Sequence, residues 1–183
     1  MVLPVSEFRV RPSFAKVLRS FMRRNDCEIR IDFDFPRVMQ HCAHAPRQGQ
    51  SGTWIGEDMQ AAYAQLHHAG YAHSVETWRA GELVGGLYCV AIGRAVFGES
   101  MFTHQTNASK IALAALVALC RQHGVVSVDC QQNTPHLASM GAREVTRSEF
   151  VTVVERECCK ASMTWEWKPL YWNALGIRQS HLT

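Results

Sequence analysis

Two stretches of this chain place polar side chains directly after apolar runs, where a strand commonly presents its reactive groups. In "GESMFTHQTNASK", residues 98–110, Glu99 and Ser100 follow the run "RAVF". In "VVSVDCQQ", Asp129 and Gln131 follow a run rich in valine, and strand alternation puts their side chains on the same side. If the two strands are close, Glu99 and Asp129 converge on one pocket, where two carboxylates can bind a cationic group or accept a proton. The alternative is a pair of strand-end carboxylates that face water.

The first stretch argues against two familiar enzyme classes. Its Gly98 and Ser100 begin like a nucleophile elbow, but Phe102 stands where that motif needs a second glycine. A coenzyme A acyltransferase would hold a pyrophosphate on a glycine-rich turn before the next helix, and "HQTNAS" contains no glycine. Neither a serine hydrolase nor a coenzyme A enzyme is therefore favoured.

Metal chemistry has little support in the sequence. His41, Cys42 and His44 come nearest to the spacing of metal ligands, but no paired CxxC and no HExxH accompany them. The seven cysteines are an odd number and are scattered along the chain, which shows neither a signal peptide nor a long apolar run. We therefore expect no metal, no membrane span, and the reduced cytoplasm as the compartment.

Positive charge is concentrated at the start of the chain. The whole chain has a formal net charge of +3, whereas residues 1–24 alone carry +5. Pro12 and Ser13 open a predicted helix that continues to about residue 24. Such a basic helix either presents a solvated face or contacts a polyanion such as RNA.

The hydrophobic periodicity predicts a mixed α+β domain around a mostly antiparallel sheet. Further helices are predicted over about residues 35–45, 57–68, 109–123 and 137–140 and from Thr146 onwards; strands are predicted over about 27–33, 72–79, 82–93, 94–100 and 125–132. Residues 44–53 have the composition of an exposed loop, and Asn107 or Ser109 is expected to cap the long helix. Met59, Ala62, Tyr63 and Leu66 share the apolar face of the third helix. Beyond Glu157 the pattern fails, so residues 158–183 either pack as an appendage or are poorly ordered.

Blocks of sequence in a fixed order then indicate a family. They are "GTWI" (52–55), "AYAQLH" (62–67), "GYAHSVETW" (70–78), "GELVGGLYCVAIG" (81–93), "GESMF", "NASK", "VDCQ" and "HLASMGA". Through these blocks the chain closely resembles the leucyl/phenylalanyl-tRNA protein transferases from about Val2 to Val154. The resemblance implies a GNAT-like (acyl-CoA N-acyltransferase-like) catalytic domain over residues 1–157, with a mostly antiparallel central sheet flanked by helices.

The activity that the resemblance implies is that of an aminoacyltransferase. Leucine, phenylalanine and, less well, methionine pass from aminoacyl-tRNA to the N-terminal lysine or arginine of acceptor proteins, which are thereby marked for N-end rule degradation. Aminoacyl-tRNA is a co-substrate, so no cofactor is implied, and we expect a monomer.

The resemblance also assigns roles to residues of this chain. Asp129 and Gln131 of "VDCQ" come to lie at the catalytic centre, and Glu99 of "GESMF" helps to hold the acceptor or its proton network. Whether Asp129 removes the amine proton directly or through Gln131 stays open. The pocket for the transferred side chain is formed by Leu87, Met101, Leu113, Leu116, Cys120 and Val128. Contacts to the tRNA come from Arg11, Lys16, Arg19, Arg23 and Arg24.

The chain departs from the family at its two ends. Family members begin with a smaller domain that carries "GGDLS", "GIFPW" and "WWSPDPR", and this sequence starts just after the position of those motifs, at "VLPVSEF". A tryptophan of that domain helps to hold the terminal adenosine of the tRNA. Two alternatives therefore stand beside the transferase: an inactive remnant that binds tRNA or basic N-terminal peptides, and a coenzyme A-dependent acyltransferase.

Overall fold

Apolar side chains at alternating positions build the sheet, and apolar side chains three and four residues apart build the helices around it. The structure, a computed structural model, describes residues 1–45 and 55–177. The strands are β1 (Val2–Pro4), β2 (Cys27–Ile31), β3 (Ala72–Arg79), β4 (Glu82–Ile92), β5 (Ala95–Thr103) and β6 (Ser127–Asp129). The helices are α1 (Pro12–Met22), α2 (Phe35–His44), α3 (Glu57–His68), α4 (Ala108–Gln122), α5 (Pro135–Ser139) and α6 (Arg147–Cys158). The predicted mixed α+β class is confirmed.

The six strands form one sheet in the order β1-β6-β5-β4-β3-β2. The pairs β1–β6, β2–β3, β3–β4 and β4–β5 are antiparallel. Short turns join β3 to β4 and β4 to β5, as expected for antiparallel neighbours. Strands β5 and β6 are parallel, and α4 supplies the crossover that such a pair needs. The predicted meander of three antiparallel strands in the middle of the chain is confirmed.

The parallel pair is short. Only Val96 with Val128 and Phe97 with Asp129 are in register, after which β6 ends while β5 continues to Thr103. Strand β5 is thus longer, and β6 shorter, than the sequence pattern predicts. The result is a gap beside the second half of β5, between that strand and the chain that leaves β6.

The register between β4 and β5 shifts at the same level of the sheet. Tyr88 lies opposite Ser100, and Cys89 lies opposite Gly98, so Glu99 is an extra residue on β5. A bulge of this kind bends the strand locally and redirects the side chain it carries. The strand therefore deviates from a regular ladder where it passes the gap.

Helix α4 fills one face of the sheet, because nearly all of its side chains are apolar. Its residues from Ile111 to Cys120 are all buried. Of the two predicted caps, Asn107 stands at the N-cap position, with φ of 69°, but its side chain makes no capping hydrogen bond. The first turn is instead fixed by close packing, since a Cβ built on Gly85 of β4 would lie 2.5 Å from the Cβ of Ala108.

Helices α2 and α3 cover the opposite face. Phe35 and Val38 of α2 are buried there together with Tyr88 and Phe102 of the sheet. Helix α3 follows its predicted bounds, yet none of its residues is fully buried. Its apolar stripe lies at the edge of the layer rather than in the core, with Leu66 37% exposed.

The C-terminal segment packs against α4 as far as the structure describes it. Trp172, Leu175 and Ile177 are buried within the α4 core. Of the two alternatives for this segment, the structure shows packing for the part that ends at Ile177. The predicted loop over residues 44–53 falls mostly on residues 46–54, outside the described residues.

Arg121, in the last turn of α4, ties this segment to the start of the chain. Its guanidinium donates to the carbonyl of Val5 at 2.6 Å and to that of Ala174 at 2.8 Å. Short 3-10 helices, residues Val5–Glu7 and Pro169–Leu175, contain these carbonyls. No helix among the described residues is both long and apolar enough to span a membrane.

We predict that Gly85→Ala lowers the free energy of unfolding by about 2–3 kcal/mol, because the added methyl group forces α4 away from the sheet. The methyl carbon would lie 2.5 Å from the Cβ and 2.8 Å from the carbonyl carbon of Ala108. Gly56→Ala is the matched control, because its backbone φ is −71° and nothing lies within 4 Å of a Cβ built there. That control is expected to change stability by less than about 1 kcal/mol. Urea denaturation measures both variants, and equal effects would contradict close packing at Gly85.

Candidate active site

A cavity of about 430 Å³ opens in the gap beside the second half of β5. Its apolar wall consists of Leu87, Met101, Leu113, Leu116, Val128 and Leu137. Its polar side chains are those of Tyr88, Glu99, Ser100, Cys130, Gln131, Gln132, Thr134 and His136. An apolar pocket with a few polar groups is the usual form of a site for a small organic group.

Five of the six side chains predicted to line a side-chain pocket do line this cavity. The exception is Cys120, which is fully buried and is not among the lining residues. It stands one helical turn beyond Leu116, about 6 Å further along the axis of α4, and so lies behind the pocket within the core. The prediction of Cys120 as a pocket residue is wrong for this reason.

Glu99 is fixed by a residue of α3 that the sequence placed only on the apolar face of that helix. The hydroxyl of Tyr63 donates to Oε2 of Glu99 at 2.9 Å. Burial, and then the hydrogen bond to Glu99, raise the pKa of Tyr63, so the phenol remains protonated and remains a donor. The Tyr63 ring packs against that of Tyr88, with centroids 5.0 Å apart and planes at 73°. Tyr63 occurs in the block "AYAQLH", which was the available signal.

Asp129 and Gln131 do not present their side chains to the same cavity. Strand β6 ends at Asp129, and Gln131 has the left-handed φ of 57°, so strand alternation does not continue to it. Gln131 lines the cavity beside β5, whereas Asp129 lines a separate cavity of about 320 Å³ next to α6. The predicted convergence of Glu99 and Asp129 on one pocket is therefore wrong.

The two residues are nevertheless linked through the backbone. The N–H of Gln131 donates to Oδ1 of Asp129 at 3.0 Å, within the turn that follows β6. A carboxylate that accepts a hydrogen bond from the backbone two residues on is a common way to hold such a turn. Asp129 thus fixes the turn that brings Gln131 to the cavity.

The thiol and the imidazole of the cavity differ in what they can do near neutral pH. Burial, and then the charge of Asp129, raise the pKa of Cys130 to about 11, so its thiol is not a nucleophile there. Burial, and then the charge of Lys110, lower the pKa of His136, so its imidazole is neutral and can accept a proton. The sequence reasoning missed His136, although it stands in the block "HLASMGA".

The basic side chains predicted to contact RNA lie on α1 and at its two ends. Arg11, Lys16, Arg19, Arg23 and Arg24 are all exposed. Within the described part of the chain, Arg24 is the one of these five with an acid partner, since its Nε and Nη2 donate to the two oxygens of Asp26 at 2.8 and 2.7 Å. Its charge is therefore largely offset within the protein.

In the part of the chain that the structure describes, His41, Cys42 and His44 are not arranged as a metal site. No group of three or more His, Cys, Asp or Glu side chains there could hold a metal ion. His41 instead shares a hydrogen bond of 3.0 Å with His104.

Together, the apolar cavity and its polar mouth suit a transferase that holds an apolar group and presents it to an attacking partner. The chain belongs to the leucyl/phenylalanyl-tRNA protein transferase family, whose sequence profile matches residues 2–155. The resemblance seen in the sequence is thus confirmed.

Proteins named leucyl/phenylalanyl-tRNA protein transferase are similar to this chain along nearly all of its length. A leucyl/phenylalanyl-tRNA protein transferase of Albidiferax ferrireducens is 57% identical over the whole chain, which spans 72% of the relative. One of Polaromonas sp. is 54% identical over 96% of the chain and 69% of the relative. One of Methylibium petroleiphilum is 51% identical over 97% of the chain and 67% of the relative.

Alkylation should distinguish Cys130 from the exposed Cys159. With a pKa of about 11, roughly one Cys130 thiol in a thousand is ionised at pH 8. We predict that iodoacetamide at pH 8 modifies Cys159 well before Cys130, and that modification of Cys130 accelerates as the pH approaches 11. Peptide mass spectrometry after timed quenching measures both rates. Equal rates at pH 8 would contradict the assignment of Cys130 as an un-ionised thiol.

Proposed function

We propose that this chain transfers leucine, phenylalanine and, less well, methionine from aminoacyl-tRNA to the α-amine of acceptor proteins that begin with lysine or arginine. The observation that carries the proposal is an apolar cavity with Glu99 at its mouth, in a chain of the leucyl/phenylalanyl-tRNA protein transferase family. The acceptors are then substrates for N-end rule degradation in the cytoplasm. The protein acts as a monomer with a GNAT-like catalytic domain, and the parallel β5–β6 pair with its gap supports that architecture.

The reaction needs orientation more than chemical activation. An aminoacyl ester is already activated, and an α-amine with a pKa of about 8 is partly neutral at physiological pH. Holding the amine against the ester can supply much of the rate. No cofactor and no covalent intermediate with the protein is required.

The apolar wall of the cavity receives the side chain of the transferred amino acid. Leu87, Met101, Leu113 and Leu116 have flexible side chains that adapt to leucine, phenylalanine or methionine. A polar or charged side chain would lose its hydration there without compensation. Selectivity against such amino acids therefore comes from desolvation.

Glu99 supplies the charge that an acceptor beginning with lysine or arginine would meet. Tyr63 occupies Oε2, and among the described residues Oε1 has no hydrogen-bond partner. A carboxylate oxygen beside an apolar cavity attracts an ammonium or guanidinium group more strongly than one in water. The bulge in β5 provides this orientation, because it makes Glu99 the extra residue of the strand.

Asp129 acts through Gln131 rather than by direct removal of a proton. Its carboxylate accepts the backbone N–H of Gln131 and lines a different cavity, which supports a positioning role. The Gln131 amide then reaches the cavity and can polarise the ester carbonyl.

A transfer assay tests the proposed function. Labelled leucyl-, phenylalanyl- and methionyl-tRNA are incubated with the protein and a peptide that begins with arginine, and incorporation into the peptide is counted. We expect transfer in the order given, and a decrease of about 10- to 100-fold in Asp129→Asn with unchanged tRNA binding. Binding of tRNA without transfer would identify a binding remnant, whereas acylation of the peptide from acyl-coenzyme A would identify the other alternative. A peptide that begins with glutamate is the control for acceptor specificity.

Each basic side chain on α1 or at its ends should contribute to tRNA affinity to the extent that no acidic side chain of the protein offsets its charge. We predict that Arg19→Gln weakens tRNA binding several-fold and lowers the slope of log affinity against log salt by about 1, because one phosphate contact is lost. Arg24→Gln, just beyond the end of the same helix, is the matched control, and its effect is expected to be smaller because Asp26 already pairs with Arg24. Binding is measured over 50–200 mM salt. A larger loss in Arg24→Gln than in Arg19→Gln would contradict this assignment.

A further inference from the structure

His136 is the one imidazole among the residues that line the cavity. It is held there by α5, whose first turn is capped when Oγ1 of Thr134 accepts the N–H of Leu137 at 3.2 Å. The hydroxyl of Ser139 donates to the His136 carbonyl at 2.7 Å and fixes the same turn. These bonds hold the backbone that carries His136 beside the cavity.

The ring nitrogens of His136 are not used by the fold. Neither has a hydrogen-bond partner among the described residues, whereas Nδ1 of His44 and Nδ1 of His68 are each bonded to a helix carbonyl, at 2.7 and 2.6 Å. His73 is likewise occupied, by Asp32 at 2.7 Å. An imidazole that faces a cavity with both nitrogens available is suited to exchange a proton with a bound ligand.

The proposed transfer reaction contains a proton transfer for which the other cavity groups are poorly placed. The amine nitrogen gains positive charge as it bonds to the ester carbon, so a proton must leave it, and the departing ribose oxygen must gain one. Asp129 lines the other cavity, Gln131 and Gln132 are neutral amides, and Cys130 is an un-ionised thiol. Glu99 is bonded to Tyr63 and is assigned to the acceptor side chain.

We propose that His136 carries this proton from the attacking α-amine to the ribose oxygen of the tRNA. As the N–C bond forms, the neutral imidazole takes the amine proton; as the C–O bond breaks, the imidazolium delivers it to the leaving oxygen. One bond forms, one breaks and the imidazole is regenerated, so no other reactant is needed. This assignment rests on the proposed transfer function.

The surroundings of His136 keep the imidazole in the form that the step requires. Burial, and then the positive charge of Lys110 on the neighbouring helix α4, lower the pKa of His136. The other titratable groups that line the cavity are Glu99 on β5, Tyr88 on β4 and Cys130 after β6. Because the pKa lies below its ordinary value, His136 is neutral at pH 7 and becomes charged only in more acidic solution.

The decisive experiment compares the wild-type protein with His136→Gln in single turnover, with saturating phenylalanyl-tRNA and a peptide that begins with arginine. Glutamine keeps a polar side chain, but its amide cannot accept the amine proton at pH 8. We expect a rate about 100-fold lower at pH 8, with tRNA affinity changed less than twofold. His68→Gln is the matched control, because it is exposed on α3 and bonded to its own helix.

The pH dependence separates proton transfer from a structural role. The titration of the acceptor amine affects both proteins alike. The ratio of wild-type to variant rates therefore isolates the effect of His136 ionisation on the rate. We expect this ratio to fall towards 1 as the pH drops through the pKa of His136, which NMR of its ring protons measures independently. Lys110→Met should raise that pKa and move the fall in the ratio to higher pH.

Several outcomes would overturn the assignment. A His136→Gln rate within threefold of wild type would show that the proton travels another way, while the transfer function would stand. A rate ratio independent of pH, or equal losses of tRNA binding and transfer, would mark His136 as structural. Absence of transfer by the wild-type protein would reject the transfer function itself. If His136→Gln fails to fold by circular dichroism, His136→Asn takes its place.

Discussion

The close contact between α4 and the sheet is the constraint on which the rest of the structure depends. Most of the helix is buried, and Gly85 lets its first turn touch β4 directly. This contact sets how far Leu113 and Leu116 stand from Leu87 on the strand below them, and therefore sets the width of the cavity. The residues between Leu113 and Leu116 are alanines, and their small side chains allow α4 to pack this close to the sheet.

The candidate active site lies where the sheet is least regular. Strand β6 stops early, β5 carries an extra residue at Glu99, and Gln131 has a left-handed backbone. Each departure leaves fewer ladder hydrogen bonds than a continuous sheet would have, and each directs a polar group towards the cavity. Tyr63 and Asp129 then hold the redirected groups in place from two different sides.

Helices and strands with a clear hydrophobic period were predictable from the sequence, whereas the side-chain contacts at their ends were not. The alternation of β3 to β5 and the apolar run of α4 fixed their type and nearly their bounds. Asp129 and Gln131 line different cavities because the positive φ of Gln131 interrupts the alternation that was assumed between them. Cys120 was misplaced because family resemblance gives an order of residues and not their depth along a helix. The bond of Tyr63 to Glu99 joins residues 36 positions apart, so no local pattern in the sequence could show it.

The hydrogen bonds of Arg121 have a consequence for the order in which the chain acquires its structure. One guanidinium joins carbonyls of residues 5 and 174, which stand near opposite ends of the described chain. During synthesis on the ribosome Val5 emerges before Arg121, whereas Ala174 emerges about 50 residues after it. The last turn of the pocket helix can therefore gain its contact to residue 5 first, and its contact to residue 174 only after a further stretch of chain has been made.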